Sequence, residues 1–298
     1  MNPRQRGIAL ISVLWTLALL SLIAAGVSAT TRNDVRLSAN LAASAQARSA
    51  AAGGVHWALY ELMARKGASG WQADGTVHEL NLGAAVVRVA ILDEAGKIDL
   101  NAAPATLLDG LLRSTGLPDD VSRRVVDAIL DWRDPDSDVR PHGAENAEYR
   151  LAGKPYGAKN APFDSVDELS LVLGVPPELY RTVRPALTVF SRQAGVNPAA
   201  ASREVLLAIA GGDPHVDGYL ELRERNRQEG LAPPPAPLAW QAHLARAKGA
   251  AVSIHAQARV GNGVTAHVTA TAEMRASSPG TPFTLRDWRL EGPELFSP

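Results

Sequence analysis

The densest run of oxygen ligands in the chain is DWRDPDSDVRPHGAENAEY, residues 131–149. Asp134, Asp136, Asp138 and Glu145 fall at the first, third, fifth and twelfth places of an EF-hand-type loop, a spacing that can bring carboxylates around one hard cation. The sixth place holds Val139, where that loop needs glycine for its sharp turn, so the segment is not a true EF-hand. A solvated loop whose aspartates cap and turn the backbone is the competing reading. No enzyme constellation accompanies it. The seven histidines (His56, His78, His142, His215, His243, His255, His267) are scattered, with no H-x-x-x-H or H-E pair of the zinc-protease kind. No serine sits in a nucleophile elbow, no glycine loop is built for phosphate, and the absence of cysteine removes thiolate chemistry and disulfides.

A second reactive place is one peptide bond near the start. Arg4 and Arg6 lie in a short polar leader that ends at Gly7, directly against an apolar run with no charged residue from Ile8 to Thr31. At about 1.5 Å per residue, such a run as helix spans a hydrocarbon core of about 30 Å. The leader arginines stay cytoplasmic and send everything after Arg32 to the opposite face. A cleaved secretory signal, with Val27-Ser28-Ala29 as its small-residue site, and an uncleaved signal anchor compete with this reading. A glycine just before the apolar run, after a basic leader, is what a prepilin-type peptidase accepts. Cleavage there keeps the helix and makes Ile8 the amino terminus.

The elements that must position these groups follow from periodicity. Residues 32–66 are rich in Ala, Leu, Arg and Gln, lack proline and continue the helix. Small residues at Ala42, Ala43, Ala45, Ala47, Ala50, Ala51 and Ala52 allow a sheet or helix to approach closely, and Gly53 and Gly54 mark a kink or a tight contact. VHELNL and AAVVRVAIL then read as strands, as do AVSIHAQARV and VTAHVTATAEMR around the turn Gly261-Asn262-Gly263, with a further strand over 283–290. The stretch between is helical. IDLNAAPATLLDGLLRSTGL and VNPAAASREVLLAIAGG echo each other, each placing Asn and Pro before a leucine-rich helix. With 298 residues and 46% hydrophobic content the chain can bury a substantial core. The fold class is therefore α+β: a pilin-like long N-terminal helix packed on an antiparallel β-sheet, with a large inserted α-helical domain of sterile-alpha-motif or helix-hairpin-helix type. Its parts are a leader (1–7), a transmembrane half-helix (8–31), a soluble helix with the first strands (32–95), the insertion (96–230), and a linker with the closing strands (231–298).

Helix-hairpin-helix units bind DNA phosphates through backbone N–H groups of a Gly-hydrophobic-Gly turn, which makes a membrane-anchored DNA-binding protein the rival function. The turns here read Gly116-Leu117-Pro118 and Gly174-Val175-Pro176, and proline removes a donor where phosphate needs one. Arg123, Arg124, Arg181 and Arg184 stand among acidic residues, and the net charge of −1 supplies no general attraction to nucleic acid. No nucleic acid is expected as a partner.

RGIALISVLW, GKIDLNAAP, DWRDPDSDVRPHGAE, PFDSVDELSLVLGV and the closing strands together resemble the type II secretion system protein K family, the large minor pseudopilins of the general secretion pathway. The resemblance covers nearly the whole chain. It implies a non-enzymatic subunit at the tip of a short periplasmic pseudopilus, assembling with minor pseudopilins I, J and H above the major pseudopilin G. It implies a single-pass protein of the bacterial inner membrane with a periplasmic C-terminal domain, cleaved by prepilin peptidase between Gly7 and Ile8 and N-methylated at Ile8, where the family more often has Phe. Most pilins carry Glu at the fifth mature position. Here that position is Ser12, as in the K subunits, and a first subunit has no amino terminus above it to neutralise. The resemblance also implies structural calcium in the inserted domain, with Asp134, Asp136, Asp138, Glu145 and Glu148 as candidate ligands.

Overall fold

A computed structural model describes residues 3–64, 70–245, 250–261, 263–274 and 282–290. Helix α1 (Pro3–Ala64) is continuous. Its first part is apolar and exposed on every side from Leu10 to Val27, and it is long and apolar enough to cross a membrane. The second part is amphipathic by size. Ala47, Ala51, Val55, Ala58 and Leu59, spaced three and four apart, are fully buried against the sheet. Gly54 decides the choice between kink and contact. A Cβ there would lie 2.8 Å from Val87 Cγ1 and 3.0 Å from Val89 Cγ2, so the glycine is the place where helix and sheet touch.

The sheet consists of β1 (Asp74–Leu82), β2 (Ala85–Asp93), β5 (Ala251–Val260), β6 (Val264–Met274) and β7 (Phe283–Arg289), in the order β1-β2-β5-β6-β7 and antiparallel throughout. β2 pairs with β5 from Ala85↔Val260 to Asp93↔Val252, which joins the two ends of the interrupted domain. Val87, Val89, Ile91, Ile254, Ala256 and Ala258 cover α1 from this sheet, and the alternate residues Ser253 and His255 point to the opposite face. Of the expected hairpin turn, Gly263 adopts φ +83° and donates to the Val260 carbonyl at 2.9 Å; Asn262 lies outside the described residues.

Everything from Glu94 to Ala250 is inserted between β2 and β5, with a hydrophobic core of its own. It contains β3 (Ile98–Asp99), α2 (Ala105–Ser114), α3 (Asp119–Arg133), α4 (Asn146–Leu151), α5 (Pro177–Val183), β4 (Leu187–Thr188), α6 (Arg203–Ala210) and α7 (Val216–Gln228). β3 and β4 pair in parallel. The two echoed segments meet: α2 packs on α6, and Gly110 permits it, since a Cβ there would stand 2.3 Å from the Ala208 carbonyl oxygen. The helical unit reaches beyond residue 230. A 3₁₀ turn over Leu238–His243 buries Trp240 completely in this core, and Val196 bridges Leu244 in parallel. The indole is what holds the Pro-rich stretch on the insertion, its N–H reaching Asp213 at 3.2 Å.

Polar contacts join the two units. Asn197 donates to Asp93 of β2 at 3.2 Å, Arg227 reaches Thr76 of β1 at 2.6 Å, Arg192 lies 3.5 Å from Glu273 of β6, and Arg289 of β7 lies 3.3 Å from Asp167.

Candidate functional site

The acidic loop leaves the end of α3, where the Asp134 N–H closes the helix on the Leu130 carbonyl at 3.1 Å. Its floor is aromatic: the Trp132 ring lies 5.9 Å from Tyr149, 6.5 Å from Tyr156 and 6.2 Å from Phe163. The loop folds back because Asp131, fully buried on α3, draws it in. One Asp131 oxygen accepts from Arg140 Nη1 at 2.7 Å, and the other accepts from the Ala144 N–H at 2.9 Å. Gly143 makes that closure possible, since a Cβ there would stand 1.9 Å from the carboxylate. The same Arg140 nitrogen also donates to Asp134 Oδ2.

Beside this satisfied anchor lie acceptors with nothing to accept. Asp134 Oδ1, both oxygens of Glu145 and the Asn160 side-chain oxygen are buried without a hydrogen-bond partner. Glu145 is only 4% exposed. Burial pushes its carboxyl above the ordinary range, and the charges of Asp131 and Asp134 push it the same way. Asn160 is held at φ +50°, and its amide N–H donates to Ser137 at 3.1 Å, which fixes which end is left open. Buried oxygens without donors are costly, and a hard cation with oxygen preference is the ligand that their chemistry fits.

The five sequence candidates therefore stand in different surroundings. Asp134 and Glu145 carry open oxygens. Glu148 caps its own helix by accepting from the Glu145 N–H at 2.9 Å. Asp136 and Asp138 are exposed, and Asp136 accepts from the Asp138 N–H at 2.9 Å in a local turn. Among the described residues no three His, Asp or Glu side chains converge as a metal cluster. Sequence reasoning missed Asp131 and Asn160. Asp131 is signalled only by its place on the buried face of an amphipathic helix, and Asn160 lies beyond the loop in a stretch with no ligand spacing.

The two hairpin turns carry Gly116 at φ +85° and Gly174 at φ +88°, the left-handed conformation that a helix-hairpin-helix turn requires. Their electrostatics oppose phosphate. α3 opens on Asp119 and Asp120, and α5 has Glu178 in its first turn. Arg124 and Arg181 are paired with Asp120 and Glu178, each at 3.0 Å.

At the other end of the chain, Gly7 and Ile8 lie within α1 and Ser12 is exposed on it, its carbonyl accepting from the Thr16 hydroxyl at 2.8 Å.

Comparison with known proteins decides the family. Residues 78–192 match the family model of type II secretion system (T2SS), protein K. Type II secretion system protein K of Pseudomonas aeruginosa is 30% identical over 237 residues, covering 72% of this chain and 71% of that protein. The chain belongs to the type II secretion system protein K family. The protein K of Klebsiella pneumoniae is 29% identical over 233 residues, covering 70% of this chain and 71% of its own. A chain in the crystal structure of the GspK-GspI-GspJ complex from the enterotoxigenic Escherichia coli type 2 secretion system superposes with a TM-score of 0.57 at 16% identity, over 88% of this chain and 99% of that one. The protein K fold is thus the α+β arrangement described above, a long helix on an antiparallel sheet with a helical insertion. The span matched by the protein K family model includes Asp131, Asp134, Glu145 and Asn160.

Proposed function

We propose that this protein K is a minor pseudopilin at the tip of the periplasmic pseudopilus. In this reading prepilin peptidase cuts between Gly7 and Ile8, Ile8 is N-methylated, and the apolar part of α1 stays in the bacterial inner membrane with the rest of the chain in the periplasm. The head assembles with minor pseudopilins I, J and H above the major pseudopilin G, begins the fibre, and so supports export of folded proteins across the outer membrane. The observation that carries the reading is α1 itself. One uninterrupted helix is bare and apolar below, and packs by small residues on a sheet above. Such a helix can be shared between lipid and a growing fibre. The naming of GspI and GspJ in the complex of the structural relative supports the first two partners. Ser12 supports the tip position, because a carboxylate buried in lipid without a partner costs several kcal/mol. The work is architectural, not catalytic.

The decisive experiment is the mass of the amino-terminal peptide from membrane-extracted protein made beside a prepilin peptidase. The expected start is Ile8, with or without a methyl group. A start at Met1 or near Thr30 overturns the pseudopilin reading.

In the same reading the insertion holds a structural calcium ion on Asp134, Glu145 and Asn160, with Asp136 and Asp138 available from the loop and Glu148 behind it. Calcium bound only by the folded chain raises its stability by roughly 3–4 kcal/mol at 100 to 1,000 times the dissociation constant. EDTA therefore lowers the melting temperature, and an unchanged melt refutes the calcium reading.

A further inference from the structure

The acidic loop already contains a cation of its own. Arg140 Nη1 sits 2.7 Å from Asp131 Oδ1 and also bonds Asp134 Oδ2, while Asp134 Oδ1 and both Glu145 oxygens are buried without a hydrogen bond of regular geometry. We propose that Arg140 is an internal counter-cation that calcium displaces from Asp134, so that loading the site exchanges a guanidinium for a metal ion. The inference rests on the calcium reading above and names how that site is regulated.

Three observations carry it. Glu145 is almost wholly buried and its oxygens lack a hydrogen bond of regular geometry, which points to a ligand and not to a solvated turn. Asp134 gives one oxygen to Arg140 and keeps the other open, so a divalent ion on the open oxygen would meet a positive charge across a single carboxylate. Arg140 can give way without loss of the loop. Its side chain is 35% exposed, and Asp131 keeps the Ala144 N–H when the guanidinium moves. The other nearby guanidinium, Arg133, is committed to the Leu100 and Ala103 carbonyls and does not take this part. The metal-free loop is thereby neutralised in part and stays folded, at the expense of weaker calcium binding.

The test is a calcium titration by calorimetry of the full chain in detergent micelles, with melting curves in EDTA, for the wild type, Arg140→Gln and Arg140→Lys. The Gln variant is expected to bind calcium about tenfold tighter or more and to melt lower in EDTA. The Lys variant keeps a charge but holds it as a strongly hydrated point charge on a flexible stem without the planar guanidinium, so its affinity falls between the two. If the Gln variant does not fold, the Lys variant decides alone. Calcium binding by the variant no tighter than by a wild type that does bind overturns the exchange and leaves the calcium reading standing. A wild type that takes up no calcium overturns both.

Discussion

Asp99 and Glu145 are buried acids of the same helical unit, 1% and 4% exposed, and their surroundings are opposite. Asp99 accepts from the N–H groups of Asn101 and Ala102 at 2.8 and 3.1 Å on one oxygen, and from the Ser191 hydroxyl and the Arg192 N–H at 3.1 and 2.8 Å on the other. It ties β3 to the segment that follows β4. Glu145 makes no hydrogen bond of regular geometry on either oxygen, although the Asn160 amide and the N–H groups of Asn146 and Glu148 stand near it. A buried acid surrounded by donors stabilises the fold, whereas one without donors opposes it until something positive arrives. The contrast separates an acid that holds the fold together from one that could take a cation, without reference to spacing.

The largest effect tests the first half of that contrast. Asp99→Ala leaves four donors without their acceptor, one of them buried, and is expected to cost about 4 kcal/mol. Urea denaturation of the detergent-solubilised chain, with calcium and with EDTA, checks it. The loss should be the same in both, and a loss confined to EDTA would mean that Asp99 serves the metal as well.

A third kind of buried group lies at the junction of the two units. Burial pushes the His255 imidazole down to about 4 from 6.5, and neighbouring Lys97 pushes it the same way against an opposing pull from Glu94. Thr269 shares a hydrogen bond with its Nδ1 at 3.2 Å, and Glu94 is itself held charged below its ordinary range, against its burial, by Lys97 and the Thr188 and Ser253 hydroxyls. Because the folded state binds the proton less well than the unfolded one, the stability due to His255 is complete above pH 6.5. It is lost as the pH falls toward 4, by about 3 kcal/mol in all. Melting temperatures across that interval should fall less steeply for His255→Gln than for the wild type. Parallel curves would remove His255 from the account.

Away from polar groups, the contact of α1 with the sheet makes a smaller and calcium-blind control. Gly54→Val drives methyl groups into Val87 and Val89 and should cost about 2 kcal/mol, equally with calcium and with EDTA. An effect that calcium reverses would couple the two units through more than their junction.

Much of this architecture was legible in the sequence. α1, the strands and the inserted position of the helices follow from composition and periodicity, because each of these elements buries one side of a regular pattern. The end of the insertion was harder to read. Trp240 follows a Pro-rich stretch that reads as linker, and only its burial against Tyr219, at a ring distance of 5.1 Å, assigns it to the helical core. Ligand spacing singled out Asp134 and Glu145, which a single loop carries and whose buried oxygens lack regular hydrogen bonds. It could not find Asn160, whose oxygen reaches the site only through tertiary folding, nor foresee that Arg140 would stand between two aspartates. Charge spacing along a chain does not say which acids will be met by donors.

Glu145→Gln tests the other half of the contrast and carries the smallest expected effect in metal-free protein. Removing the charge from a carboxylate that is buried, unpartnered and close to Asp131 and Asp134 relieves repulsion and desolvation, so in EDTA the variant should be as stable as the wild type or up to about 1 kcal/mol more stable. In calcium the order should reverse, because a neutral amide is a poorer ligand for a hard cation and the metal's contribution is lost. The crossing of the two orders is the point of the measurement, since a substitution that merely disturbed packing would destabilise under both conditions. Should Glu145→Gln destabilise the EDTA form as much as Asp99→Ala does, then Glu145 is an ordinary structural acid whose partners were mistaken for absent, and the distinction between the two regions falls.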